Sequence, residues 1–317
     1  MNNVNKISIV IPSYNEAENI TVLTEQIRQY LTPLNIDYEI IFVNDGSSDS
    51  SWEVICKLKK QYTQVKGIDL AGNYGQTIAL RAGFNLASGD VIIAMDSDMQ
   101  HDPKYIPKFV ELISQGYDMV GGSKEKRPEG FITALMAKMA HKIICLLSGV
   151  KLSYFGATFK AYRAYLIKDL NLIGDAHRFM GALVVRKGIR FIEIPININK
   201  RLRGKSSYSF KKVFYVFIDL IFLKFALSYL NKPFRFFGVI GGLVSLVGVL
   251  LISWFVFIAF FFNVNINQNY LTEFVASVFL FLLGVILMSI GLLAEIGIYN
   301  YFAKDRQLPY NVRSIIS

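Results

Sequence analysis

A chain of 317 residues with 53% hydrophobic side chains and a mean hydropathy of +0.37 is too apolar for an ordinary soluble enzyme. Its formal charge of +10 suits either nucleic acid or an anionic membrane surface, and the second is favoured because the basic residues crowd beside apolar segments with no nucleic-acid motif among them. Two cysteines, Cys56 and Cys145, give no disulfide framework or metal-ligand spacing, and the dispersed His101, His141 and His177 argue against a histidine-built metal centre.

In chain order, residues 1–6 carry no long apolar core, so no signal peptide is expected. A compact apolar run at 7–11 predicts the first strand, with Asn15 as a cap before a helix over 17–30. A second strand at 38–43 ends in Asn44-Asp45-Gly46-Ser47-Ser48-Asp49, whose turn residues hand over to a helix at 52–62. Strands are expected at 65–70, 91–95 and 118–122, with a helix at 75–87 between the first two. This alternation predicts a mainly parallel sheet covered by helices, which binds ligands outside the carboxyl ends of its strands; Asp45 and Asp96 stand at such ends. Asp96-Ser97-Asp98 and Gln100 follow the 91–95 run directly. Two carboxylates and an amide at alternate positions can converge on one hard cation, Mg²⁺ or Mn²⁺, that holds a diphosphate; the competing reading is a solvated turn.

Beyond residue 130 the pattern is less regular, with a helix expected at 131–147 and strands at 155–162 and 190–197. The mixture of lysines with Phe, Ile and Leu over 209–229 suits a helix in the membrane interface, or one packed on the preceding domain. Residues 236–262 and 274–294 contain no charged side chain, each long enough to cross a bilayer. Lys and Arg lie before the first span (among them Lys211, Lys212, Lys224, Lys232 and Arg235) and after the second (Lys304, Arg306, Arg313), and none lies in 263–272, which places both termini in the cytoplasm. Gly238 and Gly242 have the small-xxx-small spacing that permits close packing between spans or in a homo-oligomer. The expected organisation is a catalytic domain at 1–205, interfacial helices at 206–232, transmembrane helices at about 236–262 and 274–298, and a cytoplasmic tail at 304–317.

The segments Ile9-Val-Ile-Pro-Ser-Tyr-Asn-Glu16, Phe42-Val-Asn-Asp-Gly-Ser47 and Asp96-Ser-Asp-Met-Gln-His-Asp-Pro103 resemble the signature series of family-two glycosyltransferases with the α/β GT-A fold. Asn73-Tyr-Gly75, Arg201-Leu-Arg-Gly-Lys-Ser-Ser-Tyr208 and the tail from Glu295 to Val312 narrow the resemblance to polyprenyl-phosphate glycosyltransferases, such as bactoprenol glucosyltransferases and dolichol-phosphate mannose synthases. That resemblance implies a cytoplasmic-membrane enzyme moving a sugar, glucose from UDP-glucose by first choice, from a nucleotide-sugar donor to polyprenyl phosphate. It implies Pro12, Tyr14, Glu16, Asp45, Asn73 and Asp96 around the nucleotide sugar, and Asp96, Asp98 and Gln100 on the metal. Asp98, Arg201 and Ser206 are implied in catalysis, where a guanidinium binds phosphate oxygens bidentately. Lys124, Lys126, Arg127 and Arg203 are implied at the acceptor phosphate.

One departure sharpens the expectation. Where family members that glycosylate a hydroxyl present an acidic base, the corresponding Tyr154-Phe-Gly-Ala-Thr-Phe-Lys160 has no carboxylate. A phosphate monoester, with a second pKa of about 6, is already a nucleophile at neutral pH and needs none. A processive polysaccharide synthase is the first rival, against which stands the lack of a Gln-x-x-Arg-Trp element: the tryptophans are Trp52 and Trp254 alone. A non-catalytic lipid-carrier-binding subunit is opposed by the intact acidic set. A dinucleotide-binding oxidoreductase is opposed by Ala71-Gly-Asn-Tyr-Gly75, which lacks the required glycine spacing.

Overall fold

The computed structural model describes residues 4–124, 158–168, 170, 177, 180–185, 188–197, 199, 232–262, 265, 270–303 and 310–317. The chain divides into two compact units, Met1–Val213 with Leu308–Ser317, and Phe214–Gln307.

The first unit is built on an eight-stranded sheet in the order β7-β5-β6-β4-β1-β2-β3-β8. Its strands are β1 Lys6–Ser13, β2 Asp37–Asn44, β3 Val65–Leu70, β4 Val91–Ala94, β5 Met119–Lys124, β6 Lys160–Arg163, β7 Phe191–Ile196 and β8 Val312–Ile316. β4, β1, β2 and β3 run parallel, as do β5 and β7, whereas β6 lies antiparallel between β4 and β5 and β8 antiparallel on β3. The helices are α1 Ala17–Leu31, α2 Ser51–Gln61, α3 Gln76–Leu86, α4 Ile106–Ser114, α5 Ala164–Lys168 and α6 Met180–Val185.

The central strands are apolar at consecutive positions because both faces are covered. Ile7, Ile9 and Ile11 of β1 and Ile40 and Phe42 of β2 join one core with Leu23 and Ile27 of α1, Ile55 of α2 and Phe109 of α4. The alternate residues Val10, Ile41 and Val43 join a second core with Ala79 and Leu80 of α3 and Ala182 of α6. Strand order reverses at β1, which has β2 on one side and β4 on the other, and at this reversal a parallel sheet opens its ligand crevice.

The first four expected strands and the three helices between them occur within two residues of their predicted limits. The expected helices at 131–147 and 209–229 lie outside the described residues. The strand expected at 155–162 is seen only as β6, since 151–157 lie outside them too. Helix α4 was not anticipated, and the segment expected as a tail contributes an edge strand, β8.

At the amino-terminal edge of the sheet, Glu39 of β2 is 2% exposed and accepts hydrogen bonds from Ser8 Oγ, from the Ser88 backbone N–H at 2.7 Å and from Ser88 Oγ, with Lys66 Nζ at 2.8 Å. Burial alone would raise its pKa, but Lys66, Ser8 and Ser88 outweigh burial and hold the carboxyl at about 2 against an ordinary 4.5. A depressed carboxyl adds stability that is complete above its unfolded pKa and lost as pH falls through the folded one. Acid unfolding between pH 4.5 and 2 is therefore expected to remove about 3 kcal/mol through this residue. Glu39→Gln should flatten that part of a stability–pH curve; an unchanged slope in the variant would contradict the assignment.

In the second unit, α7 Pro233–Phe262 and, within α8 Leu271–Ala303, the part Leu271–Ile298 have the length and apolarity to cross a membrane. They pack through small residues: a Cβ on Gly241 would meet Gly284 O at 2.5 Å, one on Gly248 would meet Phe281 N at 2.5 Å, and Ser245 Oγ donates to Phe281 O at 3.1 Å. The expected Gly238 and Gly242 pair is not on this seam, since a Cβ on Gly242 meets nothing within 4 Å and one on Gly238 meets Phe234 of its own helix.

Candidate active site

Two loops at the carboxyl ends of β1 and β2 interlock to form one wall of the crevice. Asn15, in the left-handed region at φ 56°, accepts from the Ser48 N–H at 2.8 Å, while its own N–H donates to Ser47 Oγ at 2.9 Å. Asp49 accepts from the Ala17 N–H at 3.2 Å and from Ser51 N–H at 3.0 Å, tying the start of α1 to the start of α2. On this wall Pro12 is buried, Tyr14 is 49% exposed, and the Glu16 carboxylate accepts from Asn19 Nδ2. Tyr14 thus offers an open aromatic face, and Glu16 is engaged in the first turn of α1.

Asp45 is buried at 4% exposure. Its two carboxylate oxygens accept from the Tyr74 N–H at 2.7 Å and the Gly75 N–H at 2.9 Å, just before α3. Burial raises its pKa and these two N–H donors oppose the rise. The approach requires Gly46, at φ 67°, where a Cβ would lie 2.4 Å from Gly72 C and 2.7 Å from Asn73 N. Asn73 itself is exposed beside this contact.

Across the strand reversal, β4 delivers Asp96, Ser97 and Asp98. Ser97 Oγ donates to Pro12 O at 3.1 Å, fastening the acidic loop to β1. Asp96, 26% exposed at its side chain, accepts from Gln76 Nε2 at 2.6 Å, and that amide also lies 3.3 Å from Thr158 Oγ1. Asp98 accepts from the Gln100 N–H at 3.1 Å around Met99, which has φ 61°. The loop therefore brings Asp96, Asp98 and Gln100 to one edge of the crevice, with Asp45 on the other side of β1.

Among the described residues no group of three or more His, Cys, Asp and Glu side chains could hold a metal. The candidate donors from the sequence, Asp96, Asp98 and Gln100, are two partly exposed carboxylates and an amide, all able to offer hard oxygen, a chemistry that suits Mg²⁺ or Mn²⁺ bound jointly with a phosphate-bearing ligand.

Gln76, Thr158, His101 and Lys160 are site neighbours that the sequence reading did not single out. Gln76 opens α3 and links Asp96 to Thr158. His101, 6% exposed, packs against Phe159 with ring centroids 5.3 Å apart and planes tilted by 32°, and its Nδ1 lies 3.8 Å from Asp96 Oδ2. Burial lowers its pKa to about 4, so it faces Asp96 as a neutral ring and the pair is not ionic at pH 7. Lys160, 1% exposed, pairs in register with Ala94 and Gly121; burial lowers its pKa to about 8, against the pull of Glu193 and Asp96. A lysine inside the apolar run Phe159-Lys160-Ala161-Tyr162 was the available signal.

Lys126, Arg127, Arg201, Arg203 and Ser206 lie outside the described residues, and of Lys124 only the backbone, at the end of β5, is described. Of the stretch 154–160, read as lacking a base, Thr158, Phe159 and Lys160 are described.

A family model described as Glycosyl transferase family 2 matches residues 8–171. The dodecaprenyl-phosphate galacturonate synthase of Rhizobium johnstonii is 31% identical over 98% of this chain and 93% of its own length. The undecaprenyl-phosphate 4-deoxy-4-formamido-L-arabinose transferase of Proteus mirabilis is 32% identical over 94% and 90%. In fold, the chain is similar to glucosyl-3-phosphoglycerate synthase from Mycobacterium tuberculosis in complex with Mn²⁺, UDP and phosphoglyceric acid, at a TM-score of 0.53 and 17% identity over 70% of this chain and 78% of that one.

Proposed function

Since this chain belongs to glycosyl transferase family 2, we propose that it transfers a sugar from a nucleotide-sugar donor to a polyprenyl phosphate at the cytoplasmic face of a membrane, by one inverting in-line displacement. The observation that carries this reading is the whole-chain match to relatives that share a polyprenyl phosphate in their names but differ in the sugar. The two apolar helices are suited to anchoring such an enzyme beside its lipid acceptor, and the lysines and arginines beside them in sequence support an orientation with both termini in the cytoplasm.

Pro12, Tyr14, Glu16, Asp45 and Asn73 line the donor side, with Tyr14 free to lie against the base and the buried Asp45 able to accept from base or ribose. Asp96, Asp98 and Gln100 would hold Mg²⁺ or Mn²⁺, which when bound neutralises charge gathering on the departing diphosphate. Gln76 orients Asp96. Arg201 and Ser206 are assigned to the leaving diphosphate, and Lys124, Lys126, Arg127 and Arg203 to the acceptor phosphate, where cations relieve the repulsion between two anionic reactants. The acceptor dianion attacks without a protein base.

Glucose from UDP-glucose is the first donor proposed, by resemblance of the tail to bactoprenol glucosyltransferases. UDP-N-acetylhexosamine, GDP-mannose and the sugars in the relatives' names, galacturonate and 4-deoxy-4-formamido-L-arabinose, stand behind it. The test incubates full-length protein with undecaprenyl phosphate, Mn²⁺ or Mg²⁺ and each labelled nucleotide sugar. One donor should give a lipid-soluble product; label in no lipid fraction with any donor would overturn the proposal.

A further inference from the structure

The residues following α8 return to the sheet as β8, and their contacts converge on the segment that holds Asp45. The Ala71 N–H donates to Asn311 O at 2.9 Å, and the Asn311 N–H reaches Tyr74 Oη at 3.3 Å. Tyr310, buried at 7% exposure, receives Asn85 Nδ2 from α3 at 3.1 Å. Pairing runs Gly67 with Ile316, Ile68 with Ile315, Asp69 with Ser314, then Leu70 with Val312, so Arg313 is the extra residue of a bulge. Bulges re-aim side chains, and here Arg313 donates to the buried Asp69 carboxylate at 3.3 Å and to Ala71 O at 3.2 Å. Asp69 in turn accepts from Asn44 Nδ2 at 2.7 Å, one residue before Asp45.

Residues 71–75 are thus fastened at Ala71 by Asn311 and Arg313 and at the Tyr74 hydroxyl by Asn311, the residue that leads into β8, and the Tyr74 and Gly75 N–H groups are the two donors that orient Asp45. We propose that Tyr310, Asn311 and Arg313 are positioning residues that brace the donor pocket, so that nucleotide-sugar affinity depends on a strand formed after the second apolar helix. The proposal rests on the reading of Asp45 as a donor-binding residue.

The test compares Arg313→Ala, Arg313→Lys and Tyr310→Phe in the full chain. Arg313→Ala should speed amide exchange at Tyr74 and Gly75 about tenfold without any nucleotide, and raise donor KM about tenfold with kcat little changed. Arg313→Lys, which keeps a cation for Asp69, should recover most of both, and Tyr310→Phe should give a smaller shift in the same direction. Unchanged exchange at these amides in Arg313→Ala, or faster exchange with unchanged donor KM, would overturn the brace. Asp45→Asn measured in parallel separates the two ideas, because an unchanged donor KM there would overturn the Asp45 reading and leave the exchange result to judge the strand.

Discussion

Asp98→Ala is expected to lower turnover at least about a hundredfold while leaving the fold intact. The side chain is partly exposed just past the end of β4, where it accepts from the Gln100 N–H at 3.1 Å, so its loss is expected to cost the fold far less than it costs turnover. What it removes is one of two carboxylates in the proposed donor set of three, where charge decides affinity for a hard cation. Asp98→Asn keeps an oxygen that can accept from Gln100 and removes only the charge. Both variants should lose Mn²⁺ binding measured by paramagnetic resonance, together with transfer. Full activity in Asp98→Ala would remove the metal assignment.

Gly46→Ala is the second large effect, expected to cost about 2–4 kcal/mol of stability and to weaken donor binding. The added Cβ would fall 2.4 Å from Gly72 C and 2.8 Å from Gly72 Cα, in a residue at φ 67°. Backbone cannot step aside as a flexible side chain can, so the loops after β2 and β3 must part, drawing Asp45 away from the Tyr74 and Gly75 N–H groups. Gly72→Ala is the control, since its Cβ would meet nothing within 4 Å. Chemical unfolding of the full chain in detergent should show a large loss for the first and little for the second. Equal losses would show that the contact does not govern the site.

The parallel half of the sheet was legible because its strands are buried on both faces and read as unbroken apolar runs bounded by turn residues. Ile7 to Ile11 and Val91 to Ala94 are such runs, and Asp45 and Asp96 followed from their position just past them. A strand was expected at 155–162, but the antiparallel insertion of β6 was not legible, because its place and direction are set by pairing with β4 and β5 and not by its own residues. β8 was hidden for a similar reason: its residues are half exposed, and its partner β3 lies more than two hundred residues away in sequence. Gln76, Thr158 and His101 join the site through contacts between separate elements, which no local pattern encodes. The helix seam shows the same limit, as Gly241 and Gly248 were no more conspicuous than Gly238 and Gly242 until the partner helix fixed the facing side.

The acceptor decides the account, and a direct comparison of undecaprenyl phosphate with undecaprenol tests it. With the donor that gives product, Mn²⁺ and full-length protein, kcat/KM should be measurable for the phosphate alone, and should fall as pH drops below about 6, where the monoester loses its second charge. Comparable transfer to the alcohol, or a rate for the phosphate that ignores its protonation, would contradict a base-free attack by the lipid phosphate.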